Sequence, residues 1–331
     1  MLTPTPCSSN KIISDTWWAS NAWSRHNVNR SVTKPGYPRL KSNTRIDALV
    51  PWHSGFCDEL PMYEPIRKWV SYFSEFEQWP GLGDYRRLLG EHPPIRTLNG
   101  KELSIVEQSG RPENFTEHYA PRIYYSGEIQ TRARNWHDFF QFLSWLIFPR
   151  TKAVINAIHV PLARERIEQG GDIGRRSPVE NMLSLFDEGG VVILSSDESL
   201  LDHIRHFEWK RLFWERREEL DRNLRCITFG HAMYEKGLRP YIGMTANAIL
   251  LKTDQSVIEL EMDAQLAWLD ETLAGIFDAG SQYTRPKDLS PFPILGMPGW
   301  MAENACEAFY DNPRYFRPGR GGQMKTGTDP D

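Results

Sequence analysis

The stretch NWHDFFQFLSWLIFP at 135–149 limits what this chain can fold into more than any other. Trp136, Phe139, Phe140, Leu143 and Ile147 recur at the three and four residue steps that line one face of a helix. Asn135 stands where a side chain caps a helix start, and Asp138 stands three residues on, where a carboxylate can answer the cap. Pro149 closes the segment. A second helix, TKAVINAIHVPLARERIEQGG, follows almost at once. The two are expected as an antiparallel pair, with Pro161 kinking or restarting the second and Gly170–Gly171 ending it.

Further on, Ser177 caps and Pro178 takes the first position of a helix that ends at Gly189–Gly190 and turns into a strand at Val191–Leu194. Asp197–Asn223 reads as a long helix or pair. CITFG and MTANAILLKTD read as strands, HAMYEKG as a turn or two of helix, and Val257–Ala279 as helix. On the N-terminal side, Ile66, Trp69, Val70, Phe73 and Phe76 predict an amphipathic helix within Pro51–Pro80, and 81–130 reads mainly as loops with short strands, one near Leu103–Gln108. Helices mixed irregularly with few strands give an α+β class: a helix-rich single domain with a small sheet. The domain is expected over 48–318, after a basic, flexible leader at 1–47 and before a disordered tail at 319–331.

With 16 Phe, 12 Trp and 12 Tyr in 331 residues, a substantial core is available. A net charge of −4 gives no footprint for nucleic acid, although the leader alone is basic through Lys11, Arg25, Arg30, Lys34, Arg39, Lys41 and Arg45. Phe139–Phe148 spans only half the roughly 20 residues of a membrane helix, so no membrane partner is expected. Cys7, Cys57, Cys226 and Cys306 are scattered without metal-type spacing, which fits a reducing cytoplasm.

Polar residues inside apolar helices point to chemistry, because burying one unpaired costs on the order of 1 to 3 kcal/mol. His137 and Gln141 lie four apart on the first helix; Lys152, Asn156 and His159 follow along one side of the second. His231 and Glu235 repeat the four-residue spacing, and Asp187–Glu188 stands at a helix-to-strand turn. If these converge, His137, His159 and His231 with Asp187 or Glu235 form an acid/base set or hold a divalent metal. Arg132, Lys152, Asn156 and Arg176 are then candidates for binding a small anionic ligand, within a basic group that also includes Arg134, Arg150 and Arg175. The competing reading is a satisfied internal network that fixes the helices, with Arg175–Arg176 pairing Asp187–Glu188. The spacing names no particular metal or cofactor and does not set the oligomeric state. Trp300, Tyr310, Tyr315 and Phe316 read either as stacking surfaces for a ligand or as packing anchors. No GxSxG elbow or phosphate loop is present.

The blocks RIYYSGEIQTRARNWHDFF with WLIFPRTKAVINAIH, RRSPVENMLSLFDEGG, FGHAMYEKGLRPYIGMTA, PFPILGMPGW and FYDNPRYFRP, in that order over about 115–318, resemble the domain of unknown function family numbered 3025. The chain departs from that family's pattern at Gln141, Phe142 and Asn181. The resemblance implies a bacterial cytoplasmic protein and carries over no catalytic residue. The functional expectation is therefore an uncharacterised protein that is either an enzyme, with hydrolysis of a small anionic substrate in a His/carboxylate pocket as the leading reading, or a non-catalytic ligand-binding or adaptor protein.

Overall fold

Two glycines decide how the centre of the molecule is assembled. In the computed structural model, which describes residues 46, 49–108, 110–172, 175–278 and 281–319, helix α6 (Pro178–Gly189) passes without a loop into strand β3 (Gly190–Ser195). A Cβ on Gly190 would stand 2.3 Å from the carbonyl of Phe186, so only glycine allows so abrupt an exit. The Gly190 carbonyl then accepts the amides of Phe229 and Gly230 at 3.1 and 2.9 Å. This ties the end of β4 (Leu224–Thr228) to the start of α9 (His231–Gly237). A Cβ on Gly230 would meet Gly190 N at 2.4 Å and Glu188 O at 2.5 Å, so backbone presses on backbone where α6 and α9 meet.

β3 is buried along its whole length and is the middle of a four-stranded sheet. It pairs antiparallel with β4 and parallel with β5 (Thr245–Lys252), whose other edge pairs antiparallel with β6 (Ser290–Pro293). A second, two-stranded parallel sheet joins β1 (Ser104–Glu107) to β2 (Glu128–Thr131). The remaining helices are α1 (Arg67–Val70), α2 (Leu82–Glu91), α3 (Tyr119–Ser126), α4 (Trp136–Ile147), α5 (Pro149–Glu168), α7 (Glu198–Arg205), α8 (Arg217–Asn223), α10 (Gln255–Ile258) and α11 (Met262–Asp278). This is the expected α+β class, with two small sheets in place of one. No helix among the described residues is long and apolar enough to cross a membrane.

The central helix forms as its sequence predicts. Asn135 accepts the Asp138 amide at 2.9 Å, and Trp136, Phe139, Phe140 and Leu143 are fully buried. Trp136 stacks on Trp52 and Phe140, and Phe139 meets Phe73 edge-on at 5.6 Å. The Asp138 carboxylate does not answer the cap; it takes the Arg132 amide and guanidinium instead.

Four expectations change. α4 and α5 share a single connecting residue, Phe148, which leaves no loop to lay them antiparallel, and α5 packs far more on α11 and α3. Pro161 does not restart the second helix, which runs through it as one helix. Within Pro51–Pro80, Pro61 and Pro65 break the pattern into short 3-10 turns around the four residues of α1, although Ile66, Val70 and Phe73 still reach the core. Asp197–Asn223, expected as a long helix or a pair, is the pair α7 and α8, with Phe207 at φ 60° and a π turn at Arg211–Glu215 between them. Within 81–130, α2 and α3 are helices that were expected as loop. The proposed leader and tail lie outside the described residues, apart from Ile46 and Gly319.

Candidate functional site

α9 packs against both α4 and α6 and carries two of the candidate side chains, one at its first residue and one a turn later. Its place is fixed by the Gly230 contact and by Tyr63, whose hydroxyl donates to the Tyr234 carbonyl at 3.0 Å, while Tyr234 donates to Thr228 O at 2.7 Å. From there Glu235 Oε2 lies 3.0 Å from His137 Nδ1, and His231 Nε2 lies 3.1 Å from His137 Nε2. On the far side of His231, the Asp187 carboxylate stands 3.9 Å from Nδ1. Asp187 in turn takes the Lys152 ammonium at 2.5 Å. The result is one chain across three helices and a fourth: Glu235, His137, His231, Asp187, Lys152.

Burial grades along this chain. The His137 and Glu235 side chains are 34% and 26% exposed, whereas His231 and Lys152 are sealed at 2% and 3%. Burial pulls the His137 pKa down, but the hydrogen bond and charge of Glu235, with Asp138 behind them, outweigh it and hold the imidazole above its ordinary value. In His231 burial wins over Asp187 and drives the pKa down to about 3, so this ring is neutral. Burial opposes ionisation of Asp187, yet the Lys152 charge and then His231 keep it below the usual carboxylate range.

His137 opens onto a cavity of about 460 Å³. Gln141, one turn further along α4, lines it with Arg132 and Asp138, and the opposite wall is built from Arg111, Glu117, His118, Tyr119 and Arg122. Arg132 is locked by Asp138 through Nε and Nη2 at 2.8 and 2.6 Å, and Arg122 by Glu128 at 3.0 Å. Tyr119 shows its ring to the cavity while its hydroxyl turns inward beside the Trp145 indole. There, burial and the Asp187 charge push the phenol pKa up.

The structure thus brings His137, His231, Glu235, Asp187 and Lys152 together, and puts Arg132 in the cavity wall. His159 is partly buried two turns along α5 from Lys152; burial lowers its pKa against the pull of Asp187, and it touches none of the chain just described. Asn156 donates to Ala120 O at 2.9 Å. Arg176 is exposed and lines no part of the cavity, and the expected pairing of Arg175–Arg176 with Asp187–Glu188 is replaced at Asp187 by Lys152. Trp300, Tyr310, Tyr315 and Phe316 are buried packing anchors, with Tyr315 donating to Met244 O at 2.8 Å. Cys226 sits in β4, partly buried and packed against the core, with its thiol pKa raised by burial. Among the described residues no group of three or more His, Cys, Asp or Glu is arranged to hold a metal ion.

Tyr119, His118, Arg122 and Arg111 escaped the sequence reading. They lie in a stretch without strong periodicity, and no local spacing marks them as cavity lining.

A sequence model of the family described as Protein of unknown function (DUF3025) matches residues 103–320. Neither a curated protein nor a solved structure matches the chain.

Proposed function

The chain belongs to the DUF3025 family, and from that premise we propose that it is an enzyme acting on a small anionic substrate, with His137 as its acid/base group. The observation that supports this is His137 itself: a partly open imidazole in a cavity wall, backed by a carboxylate on one nitrogen and a buried neutral imidazole on the other. Glu235 can only accept, so it fixes the Nδ1–H tautomer of His137 and leaves Nε2 as the atom through which a proton is gained or lost. At rest that atom faces His231 Nε2, and a substrate reaches it by replacing this contact. Arg132, held rigid by Asp138, and Arg122 and Arg111 across the cavity supply the positive charge for an anionic group.

Hydrolysis is the reaction class this suits, since a carboxylate-backed imidazole can take a proton from an attacking water and return it to the departing group as the scissile bond breaks. The scattered cysteines and mild net charge support a cytoplasmic location and a small-molecule partner. The second reading, a non-catalytic binding protein, draws on the same contacts, because both His137 nitrogens are engaged in the free protein. The two separate by assaying p-nitrophenyl phosphate and p-nitrophenyl acetate while titrating inorganic phosphate by calorimetry, for the full chain and His137→Gln. Turnover that the variant loses supports the enzyme. Phosphate binding without turnover supports the binding protein. With neither, the cavity reading falls.

A further inference from the structure

Gln141 lies in the wall of the cavity beside His137 without a partner. It is 9% exposed, between the fully buried Phe140 and Phe142, and among the described residues its side-chain amide makes no hydrogen bond. The amide atoms are not sealed in the core either, so what they face is the cavity. A glutamine buried in an aromatic helix is normally explained by a hydrogen bond inside the protein. Gln141 has none, and a leucine in its place would serve the fold as well.

The charged groups around it are occupied. Asp138 holds Arg132, Glu128 holds Arg122, and Glu117 takes the Glu113 backbone amide and the Asn114 side chain, both at 2.7 Å. Both nitrogens of His137 are engaged. Gln108 and Gln130 also line the wall, but Gln108 is exposed and Gln130 half-buried, so solvent serves them. Positions 137, 138 and 141 share one patch of the α4 surface. The Gln141 amide therefore stands one turn, about 6 Å along the axis, from His137 and beside the Asp138 that fixes Arg132.

A carboxamide presents one acceptor and one donor on adjacent atoms. A carboxylate answers only its N–H and an ammonium only its oxygen. A hydroxyl offers both functions from one atom, which does not align with two partners side by side. A second carboxamide answers both through two parallel hydrogen bonds, whichever way round the Gln141 amide is turned.

We propose that Gln141 is the specificity-determining residue of the cavity, pairing with a carboxamide on a substrate whose anionic group is held by Arg132, Arg122 and Arg111. This rests on the reading of the cavity as an anion site, and it specifies the substrate class: a small anion that also carries a carboxamide. An analogue without the amide is rejected, because binding it covers the Gln141 amide and leaves it unpaired.

The test uses three monoanions of matched size on the full chain, each titrated by calorimetry: succinamate, levulinate and 4-methylpentanoate, which end in a carboxamide, a methyl ketone and an isopropyl group. Succinamate is expected to bind about tenfold tighter than levulinate, which leaves the Gln141 oxygen unmet. Gln141→Leu should abolish that preference. Equal binding of succinamate and levulinate, or a preference that survives in the variant, overturns the role of Gln141 and leaves the anion site standing. If none of the three binds, inorganic phosphate decides the anion site separately, and Gln141 is decided on the wild-type protein with a neutral probe. Acetamide should then displace the nitrogen-15 resonance of the Gln141 side-chain amide where acetone does not; no displacement, or the same with both, overturns the proposal.

Discussion

The two sides of α4 are one helix under two physical regimes. On one side Trp136, Phe139 and Phe140 meet Trp52, Phe56 and Phe73 ring against ring, fully buried, with the Trp136 indole donating to Val50 O at 2.9 Å. On the other, His137 and Gln141 face a cavity, and behind them charges and imidazoles stand at graded depth with acceptors that lack donors. Close packing is what stability selects, and on the aromatic side it outweighs even a Tyr85 hydroxyl left without a partner against Phe73 and Phe139. A cluster that leaves polar atoms unmet gives up stability, and the apolar side is what allows it to do so.

The comparison is best broken by mutating each side. Phe139→Ala should cost about 4 kcal/mol, because the ring is fully buried and its neighbours are rigid aromatics that cannot collapse into the space. Chemical denaturation measures it, and a loss below 1 kcal/mol would mean that this side is not the foundation. On the polar side, Lys152→Met should cost about 3 kcal/mol by stranding Asp187, and Lys152→Met with Asp187→Leu should recover most of it. A double variant as unstable as the single would contradict the ion-pair account.

Gly230→Ala tests the joint between α6 and α9. The added methyl meets backbone on two sides, so about 2 kcal/mol should be lost. His231 and Glu235 should also shift together, seen as simultaneous changes in the His137 and His231 ring resonances.

The smallest effect sharpens the contrast inside the polar side itself. The raised pKa of His137 contributes stability that is present below the ordinary imidazole value and is lost as pH rises through the folded value. Because the ring is a third exposed, the amount should stay under about 1 kcal/mol, and Glu235→Gln should abolish it. His231 has the opposite sign: its lowered pKa makes the fold lose stability as pH falls below the ordinary imidazole value toward about 3. His231→Gln should therefore flatten the acid side of a melting-temperature profile, and Glu235→Gln the neutral-to-alkaline side. A single variant that flattened both would show that the two rings do not titrate separately.

Much of this molecule was legible because its determinants are local. The Asn135 cap, the Ser177–Pro178 helix start, the Gly189–Gly190 exit and the buried run of β3 each follow from residues a few positions apart, and each stands in the structure. The failures were local patterns overridden by a neighbour. Asp138 left its cap for Arg132, and prolines cut the periodic stretch before residue 80 into short turns.

The candidate site divides the same way. That polar residues in apolar helices must find partners follows from the cost of burying them alone, so the sequence could name His137, His231, Glu235, Asp187 and Lys152. Which partner each takes depends on contacts between residues as far as 98 apart, set by how α9 is pressed between α4 and α6. Tertiary packing alone paired Lys152 with Asp187, set His231 against His137, left Arg176 outside and brought Tyr119 in, because hydrogen bonds depend on separations of tenths of an ångström that no spacing along a chain encodes.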